Sequence, residues 1–328
     1  MTALGVSLSA LGRREVSVAL AIVVLGLVLA GASPQFFAPD NLADLFLANV
    51  PVLVVALGMT LVVLTGQIDI SVGSVFAISG VAAGALAKAG LPLPLVALAT
   101  CAVGAALGSL NGALVAYTRI PSIVATLATM VALRDGLRWI TQGAWIQDLP
   151  QNFQWLGLSQ GLYPAVVAAI SLVLVAGFGL GLRHLPAGRA VYATGSNADA
   201  ARLAGLRTAF VTFSVFALVG GLTGLAALLN SVRFNQIPTN AGLGLEMKVI
   251  AAVVVGGAAI TGGRGTIAGT VLGVILLGMI GPALTFLGVS AYWERAIQGG
   301  IILTAVAFDA LRVRPVSHAA AVVAARTA

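Results

Sequence analysis

Residues 51–74 read PVLVVALGMTLVVLTGQIDISVGS, an apolar run that gives way at Thr65 to glycine and short polar residues. A helix needs about 20 apolar residues to cross a hydrocarbon core of about 30 Å. Residues 46–65 supply one such helix, and a second apolar run occupies residues 69–87. The stretch therefore predicts two membrane-spanning helices, joined by a polar interruption that stays close to membrane depth.

The rest of the chain has the same character. Its 328 residues are 59% hydrophobic and 8% charged, whereas a soluble domain carries about 25% charged residues. This composition excludes a soluble protein. It predicts a single all-α integral membrane domain over residues 1–328, a polytopic helical bundle of about ten transmembrane helices. The predicted spans are residues 16–32, 46–65, 69–87, 93–116, 122–140, 162–182, 209–229, 247–262, 266–287 and 296–311.

The distribution of positive charge predicts the orientation, because cytoplasmic segments carry an excess of Lys and Arg. With the N-terminus inside, these segments hold eleven of the 17 basic residues, and an even number of spans returns the C-terminus to the same side. We therefore expect both termini in the cytoplasm, a cytoplasmic loop at 183–208 and outer loops at 141–161 and 230–246. Arg13 and Arg14, with the apolar run after them, also resemble a signal peptide. Because further spans follow, we interpret that run as the first membrane helix.

The 40 glycines indicate close packing of helices. Rows at four-residue spacing, such as Gly104, Gly108 and Gly112, predict helix faces that approach one another closely. The stretch GGRGTIAG at 262–269 lacks the Lys-Ser/Thr pair of a phosphate-binding loop, so we predict no nucleotide site there. The segment that begins at Ile260, ITGGRGTIAGTV, aligns with the segment that begins at Leu64, LTGQIDISVGSV, and four small residues match. The match reflects either an internal duplication or chance. The glycines predicted to break or pack helices in these two segments are Gly66, Gly73, Gly262, Gly265 and Gly269.

Polar side chains inside the spans are candidates for a transport route. The candidates are Asp69, Ser71, Asn111, Ser122, Thr126 and Thr129. The last three share one helical face because they are spaced by four and three residues. For serine and threonine, the alternative is a hydrogen bond back to the helix backbone. An ionisable residue at membrane depth is a functional hypothesis by default, although Asp69 could instead cap a helix that begins at Ile70.

Other function classes find little support in the sequence. The single cysteine, Cys101, lies in an apolar run, which argues against a disulfide framework and a cysteine-based metal site. His184 and His318 fall in predicted cytoplasmic segments, and no catalytic constellation of nucleophile, base and orienting carboxylate is apparent. Charged residues such as Arg134 and Glu246 fall near predicted span ends, so we expect no intramembrane proton or sodium relay. The sequence therefore predicts a non-enzymatic transporter whose driving energy comes from elsewhere.

The loop segment 189–207, RAVYATGSNADAARLAGLR, contains signals for a short helix. Ser196 and Asp199 have the spacing of a capping box, and Gly205 provides a C-terminal stop. A helix of about two turns is marginal in water, so it requires tertiary contacts or a partner. The alternative is an ordinary surface loop with one helical turn.

Four blocks in matching order carry a family resemblance over nearly the whole chain. They are GQIDISVGS at 66–74, GSLNGALVAYTRIPSIVATLATM at 108–130, ATGSNADAARLAGL at 193–206 and AAVVVGGAAITGGRGTIAGTVLG at 251–273. Together they resemble the permease subunits of bacterial ABC sugar importers, in the ribose, rhamnose and autoinducer-2 branch. The chain departs from the family at Gln67, where members often have glycine, and at Asp199, near which they often have glutamate.

The resemblance implies a role for the loop at 193–206 as the docking element for a cytoplasmic ATPase subunit. The residues to which it assigns this role are Gly195, Ser196, Asn197, Asp199, Ala200, Ala201, Arg202 and Gly205. ATP and magnesium would be bound by that partner, so no cofactor is expected in this chain. The resemblance also implies a bacterial inner-membrane location with lipid around the chain, a second permease copy, and a periplasmic or extracellular sugar-binding protein.

Several alternatives remain open at the level of sequence. Related permeases carry branched-chain amino acids or other small polar solutes, and an ion-coupled secondary transporter or a membrane scaffold represents a different class. No nucleic-acid partner is expected, because the basic residues lie mostly between spans and report orientation. In the outer loop at 141–161, Trp145 and Trp155 are interpreted as interface anchors or as docking surface rather than as a sugar-stacking site.

Overall fold

The computed structural model describes residues 13–290, 292–294, 296–300 and 303–304. Most of the predicted tenth span, 296–311, lies outside these residues. The α-helices that position the site are α1 (Arg13–Ala32), α2 (Pro39–Leu64), α3 (Val72–Lys88), α4 (Leu93–Ala116), α5 (Ser122–Thr141), α6 (Tyr163–His184), α7 (Pro186–Ser196), α8 (Ala198–Leu203), α9 (Thr208–Ser231), α10 (Leu245–Val255) and α11 (Ile267–Phe286), and further helical residues follow at 293–294, 296–300 and 303–304. Short 3₁₀ turns cover Pro34–Phe37 and Gln154–Gly157.

Six of these helices are long and apolar enough to cross a membrane: α1, α2, α4, α6, α9 and α11. This confirms the prediction of an all-helical integral membrane protein. Helix α3 has 17 residues, and α5 has 20 but carries Arg134, Asp135 and Arg138 in its second half.

Two predicted spans differ from the structure, and glycines explain both differences. The prediction of one span over 247–262 is wrong, because α10 has only 11 residues and is about 16 Å long at 1.5 Å per residue. The chain leaves the helix at Gly256 and adopts a left-handed conformation at Gly257, with φ +99°. Helix α3 begins at Val72, not Ile70, because residues 67–70 are not helical after the turn at Gly66, where φ is +75°.

The bundle has buried central helices and peripheral helices with apolar outer faces. Helices α2, α9 and α11 are mostly buried, whereas less than a quarter of the most apolar window is buried in each of α1, α4 and α6. The exposed faces include Leu27 on α1, at 68%, and Leu172 on α6, at 70%. Broad apolar surfaces of this kind suit contact with lipid or with another membrane protein. At the centre, the hydroxyls of Thr60 on α2 and Thr270 on α11 lie 2.7 Å apart and link the two helices.

Glycines bring α4 and α9 into backbone contact. A Cβ atom on Gly104 would overlap the carbonyl oxygen of Gly220, and one on Gly112 would lie 2.9 Å from the carbonyl oxygen of Phe213. The four-residue spacing on α4 keeps these glycines on one face. The two helices therefore pack more closely than side chains would allow.

The two predicted outer loops lie together at one end of the bundle. Ile146 and Ile237 exchange backbone hydrogen bonds of 3.0 and 2.8 Å, and the amide of Trp155 donates to Val232 O at 2.7 Å. Trp155 also packs edge-on against Tyr163, with ring centroids 5.3 Å apart. Trp145 remains 45% exposed. The segment 185–207 lies at the opposite end, since α6 and α9 run between the two groups.

We expect Gly220→Ala to destabilise the protein by about 1–3 kcal/mol, the usual effect of overpacking. Its new Cβ would meet the backbone of α4. Gly221→Ala is the matched control, because its Cβ would lie 3.6 Å from Ala105 Cβ, an ordinary contact. Thermal unfolding of both variants in detergent tests this expectation. Equal melting temperatures for the two variants would show that the α4–α9 approach is less tight than described.

Candidate transport and coupling site

The break between α2 and α3 is held by side chains of α5. The amide of Ile68 donates to Ser122 Oγ at 3.2 Å, and the amide of Ile70 donates to Thr126 Oγ1 at 3.1 Å. The Thr126 hydroxyl donates in turn to Ser122 O at 2.8 Å. These hydroxyls replace hydrogen bonds that the interrupted helix has lost, as buried backbone amides require.

The same break contains a buried hydrogen-bond chain. Asn111 Nδ2 donates to Ser71 Oγ at 2.7 Å, and Ser71 Oγ donates to Asp69 Oδ1 at 2.6 Å. The Ser71 amide also donates to Asp69 Oδ1, at 2.8 Å. Asp69 is 1% exposed, and Asn111 Oδ1 has no hydrogen-bond partner among the described residues. Asp69 therefore lies just before α3 as a buried acceptor for the amide and the hydroxyl of Ser71.

Five of the six predicted route residues thus meet at this break: Asp69, Ser71, Asn111, Ser122 and Thr126. Thr129 lies one turn further along α5, half-buried, and donates to Thr126 O at 3.1 Å. The hydroxyls of Thr126 and Thr129 do bond back to the helix backbone, as the alternative interpretation describes.

A buried pair of opposite charges lies beside this break. Arg134 Nη2 and Glu246 Oε2 are 3.9 Å apart, both side chains are largely buried, and neither atom has a hydrogen-bond partner among the described residues. A Cβ on Gly73 would lie 2.9 Å from Arg134 Nη2 and would overlap the Glu246 carboxylate.

Glu246 does lie at a helix end, in the first turn of α10, whereas Arg134 lies within the second half of α5. Both side chains are largely buried, because α10 begins beside the first turn of α3, where Gly242 contacts Gly73. This burial depends on a contact between segments distant in sequence, which the sequence prediction did not include.

The second break joins α10 to α11 and contacts the first. The amide of Gly263 donates to Leu64 O at 2.9 Å, and a Cβ on Gly66 would lie 3.4 Å from Thr261 O. Gly262 has φ +88° and packs against the backbone of Gly66. The left-handed conformation at Gly262 favours glycine over any residue with a Cβ.

The two remaining glycines predicted at this break lie on either side of the start of α11. Gly265 has φ +151° and precedes the helix, while Gly269 lies in its first turn and packs against Gly256. The amide of Gly269 donates to the N-cap hydroxyl of Thr266 at 3.0 Å.

Helix α7 ends on this contact between the two breaks. A Cβ on Gly195 would overlap Leu64 O and lie 2.8 Å from Gly263 N. Tyr192 donates its hydroxyl to Gly265 O at 2.7 Å. Burial raises the pKa of Tyr192, and nearby Glu15 raises it further, so the hydroxyl keeps the proton that it donates. We refer to the contact of Leu64, Gly195 and Gly263 as the glycine junction.

Helix α8 follows directly and is capped differently from the prediction. Asn197, not Ser196, is the N-cap, and its Oδ1 accepts from the amides of Asp199 at 3.1 Å and Ala200 at 3.0 Å. Ser196 cannot act as the cap because α7 continues through it, whereas Asn197 has the extended backbone that an N-cap needs. Gly205 follows the helix with φ +84°, the left-handed conformation of a C-terminal stop.

The surface of α8 is exposed and contains one large apolar side chain. Leu203 is 92% exposed, Ala200 is exposed, and Ala201 faces the protein. Arg202 and Asp199 form an ion pair on the outer face. Leu203 is not among the docking residues that the family resemblance implies, although its position at the end of a short capped helix is visible in the sequence.

Comparison with known proteins agrees with this architecture. Residues 41–306 match the family described as "Branched-chain amino acid transport system / permease component". The autoinducer 2 import system permease protein LsrC of Salmonella typhi is 38% identical over 296 residues, which cover 90% of this chain and 85% of the relative. LsrC of Escherichia coli (strain K12 / DH10B) is 36% identical over 296 residues, covering 90% and 86%. No solved structure matches the chain.

These matches confirm the resemblance to permeases of bacterial ABC importers. Together with the long apolar helices, they identify a multi-pass protein of the inner membrane. The chain belongs to the family of branched-chain amino acid transport system permease components.

Proposed function

We propose that the chain is the membrane-spanning permease subunit of an ATP-driven importer of the ABC class, and that it carries a small sugar or sugar-like solute. The family match and the relatives named as autoinducer 2 import permeases support this assignment. The same relatives favour a sugar-like solute over a branched-chain amino acid, although the family description names the latter.

The observation that carries the proposal is the exposed helix α8 beside the glycine junction. A six-residue helix is far shorter than the roughly 12–15 residues at which isolated helices become marginally stable. The Asn197 cap and the Asp199–Arg202 ion pair stabilise α8, yet Leu203 remains exposed. A partner that covers Leu203 would bury one apolar side chain, which stabilises the contact by about 1.5–3 kcal/mol.

In this proposal the partner is a cytoplasmic ATPase subunit that binds ATP and magnesium itself. Closure of the ATPase would move α8 and, through Gly195, the glycine junction. Because the junction contains the ends of two interrupted helices, its movement would shift the permease between inward- and outward-facing states. The predicted route residues around Asp69 lie on the first of these interrupted segments.

The remaining parts of the assembly follow from the same proposal. Both termini and the loop at 183–208 would face the cytoplasm. The loops at 141–161 and 230–246 would face outward and receive a soluble binding protein, with Trp145 as an exposed aromatic in that surface. A second permease copy would complete the route.

An ion-coupled secondary transporter is the second candidate, because Asp69 and Glu246 are buried carboxylates inside the bundle. The two candidates are separated by uptake into proteoliposomes. We expect solute uptake only when ATPase, ATP and binding protein are all supplied. Uptake by the permease alone under an ion gradient would establish the second candidate instead.

Leu203→Asp tests the docking surface directly. The side chain is almost fully exposed, so its replacement should change the free energy of unfolding by less than about 0.5 kcal/mol. Affinity for the ATPase subunit should fall about tenfold or more, because the buried apolar contact is lost. Leu203→Met keeps the apolar surface and serves as the control. Binding of both variants to the purified ATPase, measured by titration, gives the result; equal affinities would remove Leu203 from the interface.

Gly205→Val tests whether the end of α8 must be rigid for coupling. A β-branched residue at φ +84° costs about 1–2 kcal/mol and should fray the helix. We expect more ATP to be hydrolysed per solute molecule imported by the reconstituted complex. Gly205→Asn is the control, because asparagine tolerates this conformation. Wild-type coupling in Gly205→Val would count against the docking role of this loop.

A further inference from the structure

A cavity of about 430 Å³, with both apolar and polar lining residues, lies between α2, α10, α11 and residues 294–298. Small-molecule sites typically have volumes of about 300–1,000 Å³. None of the six predicted route residues lines this cavity. Its polar lining residues include Asn41, Asp44, Asn49, Lys248, Glu294 and Gln298.

The α2 wall of the cavity includes three polar residues. The residues that line the cavity from α2 include four at spacings of three, four and one, so these lie on one side of the helix. The four are Asn41, Asp44, Ala48 and Asn49. The rest of α2 is strongly apolar, and its second half is buried in the core. Polar residues in a membrane span usually face a protein interior or a water-filled cavity and mark a substrate pathway. The polar residues of this wall fit such a pathway.

Hydrogen bonds to the backbone leave these amides with acceptors for a ligand. Asn41 Nδ2 donates to Phe36 O at 2.6 Å, and Asn49 Nδ2 donates to Leu45 O at 2.8 Å. Each bond uses a nitrogen donor and fixes the side chain, so the amide oxygen remains as an acceptor.

The opposite wall supplies further acceptors. Glu294 Oε1 accepts from Lys248 Nζ at 2.8 Å and from Gln298 Nε2 at 2.9 Å, which leaves Oε2 for a ligand. Pro282 interrupts the hydrogen bonding of α11. Because proline has no N–H, the carbonyl of Gly278 loses its helical donor.

Two glycines of α11 leave room for the side chains of Glu294 and Asn49. A Cβ on Gly281 would lie 2.6 Å from Glu294 Oε2, and one on Gly278 would overlap the side-chain amide of Asn49. Any larger residue at either position would displace an acceptor of the cavity.

The donor and acceptor pattern selects the chemical class of the ligand. The lining contains two carboxylates, Asp44 and Glu294, and one ammonium group, on Lys248, and Asp44 also interacts electrostatically with Arg233 outside the lining. Because Lys248 already pairs with Glu294, an anionic solute would find no unpaired cation among the described lining residues. A neutral molecule with several hydroxyl groups can donate to the amide and carboxylate oxygens and accept from Lys248.

We propose that this cavity is a solute-binding site of the permease, and that it takes a neutral polyhydroxylated molecule. The proposal rests on the importer function proposed above and deepens it. Lys248 is in the first turn of α10, and the other end of α10 leads into the break at the glycine junction. One short rigid helix therefore connects the solute to the coupling site.

Thiol protection tests binding without depending on transport. In the permease–ATPase complex with Cys101→Ala, Thr285→Cys places a thiol on the cavity wall. Its alkylation by a maleimide is followed with ribose, rhamnose, ribose 5-phosphate or leucine present in excess. We expect a neutral sugar to slow alkylation, and leucine and the phosphate to leave the rate unchanged. Protection by leucine or the phosphate alone, or by none of the four, overturns the proposal.

Paired variants test the lining residues in the same assay. Asp44→Asn and Asn49→Leu should each raise the sugar concentration for half-protection about tenfold, the loss expected for one polar contact. Asp40→Asn is the control, because Asp40 is exposed one turn earlier on α2 and does not line the cavity. Co-purification with the ATPase checks that each variant folds. Unchanged half-protection in both lining variants contradicts the proposal.

The binding result is separable from the importer function. ATP-dependent uptake by the wild-type assembly with no protection of Thr285→Cys would refute the cavity proposal alone. Protection by a neutral sugar in a permease that transports without an ATPase would refute the importer mechanism and leave the cavity standing.

Discussion

The hydrogen bond from the Gly263 amide to the Leu64 carbonyl holds together the part of the molecule on which the proposed mechanism depends. Both groups lie where a membrane helix has been interrupted, and an unpaired buried polar group costs about 1–3 kcal/mol. Each break therefore stabilises the other. Glycine is required around this bond, because a side chain on Gly195 would occupy the position of the carbonyl oxygen.

Two helices begin inside the bundle with a carboxylate beside the first turn. Helix α3 begins after the first break and has Asp69 beside it, and α10, which follows the predicted outer loop and ends at the second break, has Glu246 in its first turn. The positive end of a helix dipole favours such charges. Interrupted segments rely on a few hydrogen bonds to side chains, whereas α4 and α9 are fixed by continuous backbone contact. Conformational change is therefore expected at the breaks, with the glycine-packed pair as the fixed frame.

Sequence was sufficient for the features that depend on composition and local signals. Apolar length predicted the six helices that are long and apolar enough to cross a membrane, and the segment from Ser196 to Gly205 predicted a short capped helix. Sequence could not give the end of α10, because an apolar run of normal length continues past the helix into Gly256 and Gly257. It also could not show that α10 begins against α3, a tertiary contact that buries Glu246. The choice of Asn197 over Ser196 as cap was likewise decided by the length of α7.

Backbone hydrogen exchange in the permease–ATPase complex, with and without ATP, tests the central claim that α7 and α8 transmit ATPase movement through the glycine junction. The account predicts that protection of the Gly263 amide changes about tenfold between the two states, the equivalent of about 1.4 kcal/mol. Amides of α4 and α9 should not change, and Gly195→Ala should abolish the response. An unchanged Gly263 amide in a wild-type complex that hydrolyses ATP and imports solute would contradict the account.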